Sequence, residues 1–94
     1  MDKGLRAAVR RFPLRAREVT ELARTDSAFS ALCEDLADAE GAAESWAAST
    51  SPQRNTLQAE YRVLANELAD EIAVLLGERF GASAPPSENR EPGD

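Results

Sequence analysis

Histidine is missing from this chain, and cysteine occurs once, at Cys33. The first absence removes the commonest metal ligand and general base. The second rules out an internal disulfide and points to a reducing, cytoplasmic setting. Long apolar runs are missing too: the longest is Ile72 to Leu76, against the roughly 20 residues a helix needs to span a bilayer. Met1 to Phe12 carries charges where a signal peptide would need its apolar region, so a soluble chain with no transmembrane segment is expected. Aromatic residues number five and fall in or beside apolar stripes rather than among basic residues, so the stacking platform of a single-strand binder is absent. Gly41, Gly77 and Gly81 are isolated, and no glycine-rich phosphate loop can be assembled from them.

These shortages bear directly on chemistry. Catalysis needs a group tuned near neutral pH or a nucleophile beside a base, and Cys33 has no histidine to activate it. Its place, one residue after Leu32 at the edge of an apolar stripe, reads as structural. The acid pairs Glu34/Asp38 and Glu67/Glu71 sit four apart on helical faces, but no Glu-x-x-His partner exists to complete a di-metal site. The expectation is a non-enzymatic protein with no catalytic residues, no metal and no cofactor.

What the chain does have is a pair of apolar stripes that mirror each other about Ser49-Thr50-Ser51-Pro52. Before the turn come Phe29, Leu32, Leu36, Ala39, Ala43 and Trp46; after it come Leu57, Tyr61, Leu64, Leu68, Ile72 and Leu75. Both follow the spacing of one helical face. Folding back at the turn would pair Trp46 with Leu57, Ala43 with Tyr61, Ala39 with Leu64, Leu36 with Leu68, Leu32 with Ile72 and Phe29 with Leu75. The sequence thus predicts an all-α fold, an antiparallel helical hairpin whose core is these stripe residues. The second stripe keeps the period of a straight helix, so a short straight pair is expected rather than a long supercoil.

Boundaries follow from local chemistry. Asp26, with Thr25 competing, caps a helix expected to run to about Ala48. Ser51 and Pro52 read as the cap and first residue of a second long helix ending near Arg79 or Phe80, with Gly77 or Gly81 as the C-terminal glycine. Upstream, Leu5, Val9 and Phe12 suggest a helical turn or two, interrupted at Phe12-Pro13. A short helix from Pro13 to about Arg24 would present Val19 and Leu22. Three segments result: a basic N-terminal arm over 1–12, a helical-hairpin domain over 13–80, and a tail over 81–94 with almost nothing to bury, expected to be disordered.

The net charge of −6 conceals an asymmetry. Residues 1–24 carry an excess of bases, while residues 25–48 hold acids and no base. Lys3, Arg6, Arg10, Arg11, Arg15 and Arg17 form a possible anion-binding arm for nucleic acid or an anionic membrane. The acidic remainder would repel such surfaces, so nucleic acid is not the expected partner. The favoured role of the arm is to complement the acidic hairpin of its own or a neighbouring chain.

Several stretches carry a family resemblance. Phe12-Pro13, then Val19 and Leu22, then Asp26-Ser27-Ala28-Phe29-Ser30-Ala31-Leu32, then Leu68-Ala69-Asp70-Glu71-Ile72 follow one another in an order that resembles the YdcH-like family of small bacterial helical-hairpin proteins, a domain of unknown function. The resemblance spans residues 12–76 and implies a hairpin but no catalytic residues. Ala69 stands where that family carries lysine, and the usual Leu-Asp and Ile are replaced around Ala39, Glu40 and Ala43. Trp46 beside the turn also resembles, less closely, the Trp-x-Gly hairpin proteins of type VII secretion, although Ala48 replaces the glycine and Ala65 the acid expected four residues after Tyr61.

A chain of 94 residues folded as two helices leaves a thin core, which something else must complete. The expected function is therefore protein–protein interaction or self-association through apolar helix faces, with a homo-oligomer anticipated. Val63, Val74 and Leu76, off the main stripe, mark a possible partner face.

Overall fold

The computed structural model describes residues 2–81, and it is all-α. Four α-helices follow in order, α1 (Lys3–Arg11), α2 (Ala16–Thr25), α3 (Ser27–Ala47) and α4 (Arg54–Phe80), with a single 3-10 turn at Pro13–Arg15 between the first two. No strand occurs among the described residues. The tail from residue 82 onward lies outside them.

Each boundary has a local cause. The Asp2 carboxylate accepts from the backbone N–H of Leu5 at 2.7 Å and opens α1. Its last turn carries Arg10 and Arg11, cations that favour the negative end of the helix dipole. Phe12 closes α1 by donating its N–H to the Ala8 carbonyl, and Pro13, which no helix interior accepts, starts the 3-10 turn. Asp26 caps α3 as the sequence predicts, accepting from Ala28 N–H at 3.0 Å and Phe29 N–H at 3.1 Å. At the far end Gly81 adopts φ +91°, a conformation suited to glycine, and donates to the Gly77 carbonyl.

The start of α4 differs from the expectation. Ser51 and Pro52 form a turn in which Ser51 Oγ accepts from Gln53 N–H and the Ser51 carbonyl from Arg54 N–H. The helical ladder begins only with Leu57 N–H donating to the Gln53 carbonyl. The Ser-Pro pair does organise the chain reversal, but the helix opens two residues later than predicted.

The hairpin of α3 and α4 is antiparallel: Leu32 and Leu75 line one recess near its open end, and Ala39, Ala42, Leu64 and Tyr61 line another nearer the turn. The larger departure lies in what packs against it. Residues 3–11, read as an arm, are helix α1, which runs alongside α3 in the same direction: Gly4 lies against Cys33 and Glu34, and Arg11 against Glu40. Ala7 and Ala8 are fully buried in the same cluster as Val19 and Leu22 of α2, Phe29, Cys33, Leu36 and Ala39 of α3, and Ala65, Ala69, Ile72 and Leu76 of α4. A methyl group added at Gly4 would fall 2.8 Å from the Glu34 backbone nitrogen. Glycine is what lets the two backbones come this close.

This third helix changes which face of α4 is inside. The mirrored stripes place Leu64, Leu68, Ile72 and Leu75 in the core, yet the fully buried set is Ala65, Ala69, Ile72 and Leu76, shifted by one position at three of the four sites. Where three helices converge, close approach favours small side chains, so alanines turn inward and the leucines beside them turn toward the open flank. Leu64 is consequently 42 % exposed, not core, and Leu76 is fully buried, not part of a partner face. Phe29, Leu36 and Ile72 are buried as expected. Leu32, Leu57, Tyr61, Leu68, Leu75 and Trp46 are only half-buried.

Candidate interaction surface

Cys33, the one side chain with nucleophilic potential, is sealed into the core at 1 % exposure. Burial, and after it the charges of Asp2 and Glu34, push its thiol up to about 11, so it is protonated at neutral pH and inert as a nucleophile. Among the described residues no three Cys, Asp or Glu side chains are arranged to hold a metal ion.

The six basic residues of the N-terminal segment do not act as one group. Lys3 pairs with Asp38, and this hydrogen-bonded carboxylate raises the ammonium above its ordinary range. Arg11 Nε donates to Glu40 at 2.8 Å while its Nη1 donates to Asn66 at 3.1 Å, joining α1 to both hairpin helices. Arg10 approaches the other Glu40 oxygen at 3.6 Å. Arg15 donates through Nε to Glu18 and through Nη2 to the Gly81 carbonyl at 2.8 Å, clasping the start of α2 to the end of α4. Arg6 and Arg17 are exposed and make no ion pair among the described residues. Three of the six cations, Lys3, Arg10 and Arg11, thus face carboxylates of α3 in this same chain, while the carboxylate partner of Arg15 is local, three residues on in α2.

The other conspicuous surface is apolar. On the flank of the hairpin away from α1, a groove follows the seam between α3 and α4. Near the open end it is a recess of about 600 Å³ with Phe29, Leu32, Val74 and Leu75 in its walls. Nearer the turn it continues as one of about 440 Å³ walled by Ala39, Ala42, Tyr61, Leu64 and Leu68. Asp35 belongs to both stretches. Leu64 and Val74, among the most exposed large apolar residues, stand in this groove, and Val74 is 58 % exposed. Val63 is equally open at 56 % but does not line it. The stripe residues expected to knit a two-helix core therefore serve a second purpose, as the floor of an open groove.

Its α3 wall was not singled out by the mirrored stripes, although a signal was present. Ala28, Ala31, Asp35, Asp38 and Ala42 recur at alternating steps of three and four, a second row parallel to the apolar one. Small and acidic side chains in that row leave the leucines beside them uncovered. A separate apolar recess of about 500 Å³, with Phe12, Pro13, Ala73 and Gly77, lies on the other side of α4, where Leu14 is 97 % exposed.

One polar feature remains at the junction of α1 with the hairpin, where Arg10, Arg11, Arg62, Glu40, Glu44 and Asn66 surround a notch of about 360 Å³. Arg10 and Arg11 both pair there with Glu40, and Arg11 also donates to Asn66. Compared with known proteins, the chain matches no family model, no curated protein and no solved structure.

Proposed function

We propose that this chain is a non-enzymatic helical module that acts by seating a protein partner in the groove between α3 and α4. One observation carries the reading. The core beneath the groove is already closed by α1 and α2, yet Leu64 and Val74 stand open on its surface beside half-buried Leu32, Leu68 and Leu75. Apolar side chains gathered on one flank, and not needed to complete the interior, are the usual mark of an interaction surface. Of the stretches that carry the resemblance to YdcH-like hairpin proteins, Asp26–Leu32 and Leu68–Ile72 fall at α3 and on α4 beside this groove, while Phe12-Pro13 and Val19 with Leu22 fall at the 3-10 turn and on α2. No helix of the described residues is long and apolar enough to cross a membrane, and a lone buried thiol suits a reducing, cytoplasmic setting.

A charge placed in the groove separates docking from folding. Leu64→Glu is expected to leave urea stability within about 1 kcal/mol of the native chain, as for other exposed positions, while abolishing whatever assembly light scattering or sedimentation detects. A stability loss as large as that of a core truncation would reassign the groove to the interior of the fold.

A further inference from the structure

We infer that the occupant of the groove is a basic amphipathic helix from another protein, and not a second copy of this chain. The inference rests on the reading of the groove as an interaction face, and it is carried by the charges along the rim. Asp26 and Asp35 on the α3 side and Glu71 on the α4 side line the stretch near the open end, and Asp35 and Asp38 the stretch nearer the turn. Among the described residues no lysine or arginine lines either stretch.

Some of these carboxylates are spoken for. Asp38 is paired with Lys3, and Asp26 caps α3 and approaches Arg79 at 4.0 Å. Asp35 and Glu71 have no ion pair among the described residues. They stand on opposite helices and border the same apolar floor. A ligand that fills this floor with leucine-like side chains and carries a cation on each edge of its own stripe meets both charges at once. That pattern is an amphipathic helix with lysine or arginine flanking its apolar face, docked helix-in-groove.

Length agrees with this form. The groove follows α3 from Ala28 to Ala42, roughly 21 Å at 1.5 Å per residue, which seats about four helical turns. A second copy is disfavoured by the same rim. Two grooves face to face would bring Asp35 and Glu71 of one chain against those of the other, and like charges juxtaposed at an interface oppose association. Of the N-terminal cations that might relieve this, Lys3, Arg10, Arg11 and Arg15 are engaged within their own chain, and Arg6 and Arg17, on α1 and α2, do not line the groove.

The test uses three synthetic peptides of about 15 residues, the length that fills the groove. One is a leucine-striped helix with flanking lysines, the second replaces those lysines by glutamate, and the third keeps the lysines but scrambles the stripe. Each is titrated at physiological salt into the full chain with ¹³C-labelled methyls. The lysine peptide is expected to shift the methyls of Leu32, Leu64 and Leu75 and to lose at least about tenfold in affinity against the Asp35→Lys/Glu71→Lys double variant. The other two peptides are expected to leave those methyls unmoved. Equal binding by the glutamate peptide overturns the inference, as does equal binding by the scrambled one, which would be charge attraction without docking. If no peptide binds while the chain dimerises through the groove in a Leu64-dependent manner, the basic-helix inference fails and the interaction-face reading stands. If Leu64→Glu unfolds the chain, both fall.

Discussion

The hairpin of α3 and α4 is built differently at its two ends. At the base, residues 29–43 of α3 and 65–76 of α4 bury a side chain completely on nearly every turn, because α1 and α2 lie against them. At the tip, residues 44–64 contain no fully buried side chain at all, and Trp46, Leu57 and Tyr61 are half-covered. The same apolar stripes run through both regions. Two helices paired along one seam leave each large side chain with an open flank, and only a third helix removes that flank from water. The stripes predict pairing; they do not predict depth.

The comparison can be broken most forcefully by truncating one residue in each region. Phe29→Ala, in the base, should cost about 3–5 kcal/mol in urea unfolding, since a fully buried aromatic leaves a cavity that its neighbours fill only in part. Leu57→Ala, in the tip, should cost about 1 kcal/mol, in proportion to the smaller area it removes from water. Equal losses would mean that the tip is as tightly packed as the base.

Alkaline pH probes the base alone. Between the ordinary thiol value of 9.0 and the raised value of about 11 for Cys33, the unfolded chain gives up a proton that the folded chain retains. The unfolded state then binds fewer protons, so stability falls as pH rises through that window, by at most about 3 kcal/mol. Below it the contribution vanishes, because both states are protonated. Cys33→Ala should flatten this part of the pH–stability curve relative to the native chain; a slope unchanged by the substitution would show that the thiol is not the group responsible.

A smaller effect separates two glycines of opposite meaning. Gly4→Ala forces a methyl against the α3 backbone and should lower stability by about 1–3 kcal/mol, the usual range for overpacking. Gly41→Ala, beside the point where α3 leaves the base, meets nothing within 4 Å and should raise stability by roughly 0.5–1 kcal/mol through helix propensity alone. Thermal melts of the two variants should therefore move in opposite directions.

Much of this architecture is written locally and can be read without coordinates. Asp26 announces α3, Phe12-Pro13 announces the break before α2, and Val19 and Leu22 announce its buried side. The rotation of α4 is not local. Leu64 and Ala65 are equally compatible with a helix, and the choice between them depends on whether a third helix arrives. That arrival hangs on Gly4, Ala7 and Ala8, small residues that carry little hydropathic signal and sit among arginines that suggest a solvated arm. The groove was half legible for the same reason. Its leucine floor belongs to the stripes, while its acidic rim gains meaning only once Lys3 and Arg79 are seen to take Asp38 and Asp26 and, among the described residues, to leave Asp35 and Glu71 without an ion pair.

The position of Trp46 has a consequence for how this protein is watched. It is the chain's single tryptophan, and it sits in the part of the hairpin that the other helices do not cover. Fluorescence therefore reports on the tip, whereas circular dichroism, averaging over every helix, is weighted toward the base. A melt followed by both signals separates when the tip frays first, and the gap between the two curves resembles a folding intermediate. It is instead the optical signature of one helix pair that is well supported at one end and sparsely supported at the other.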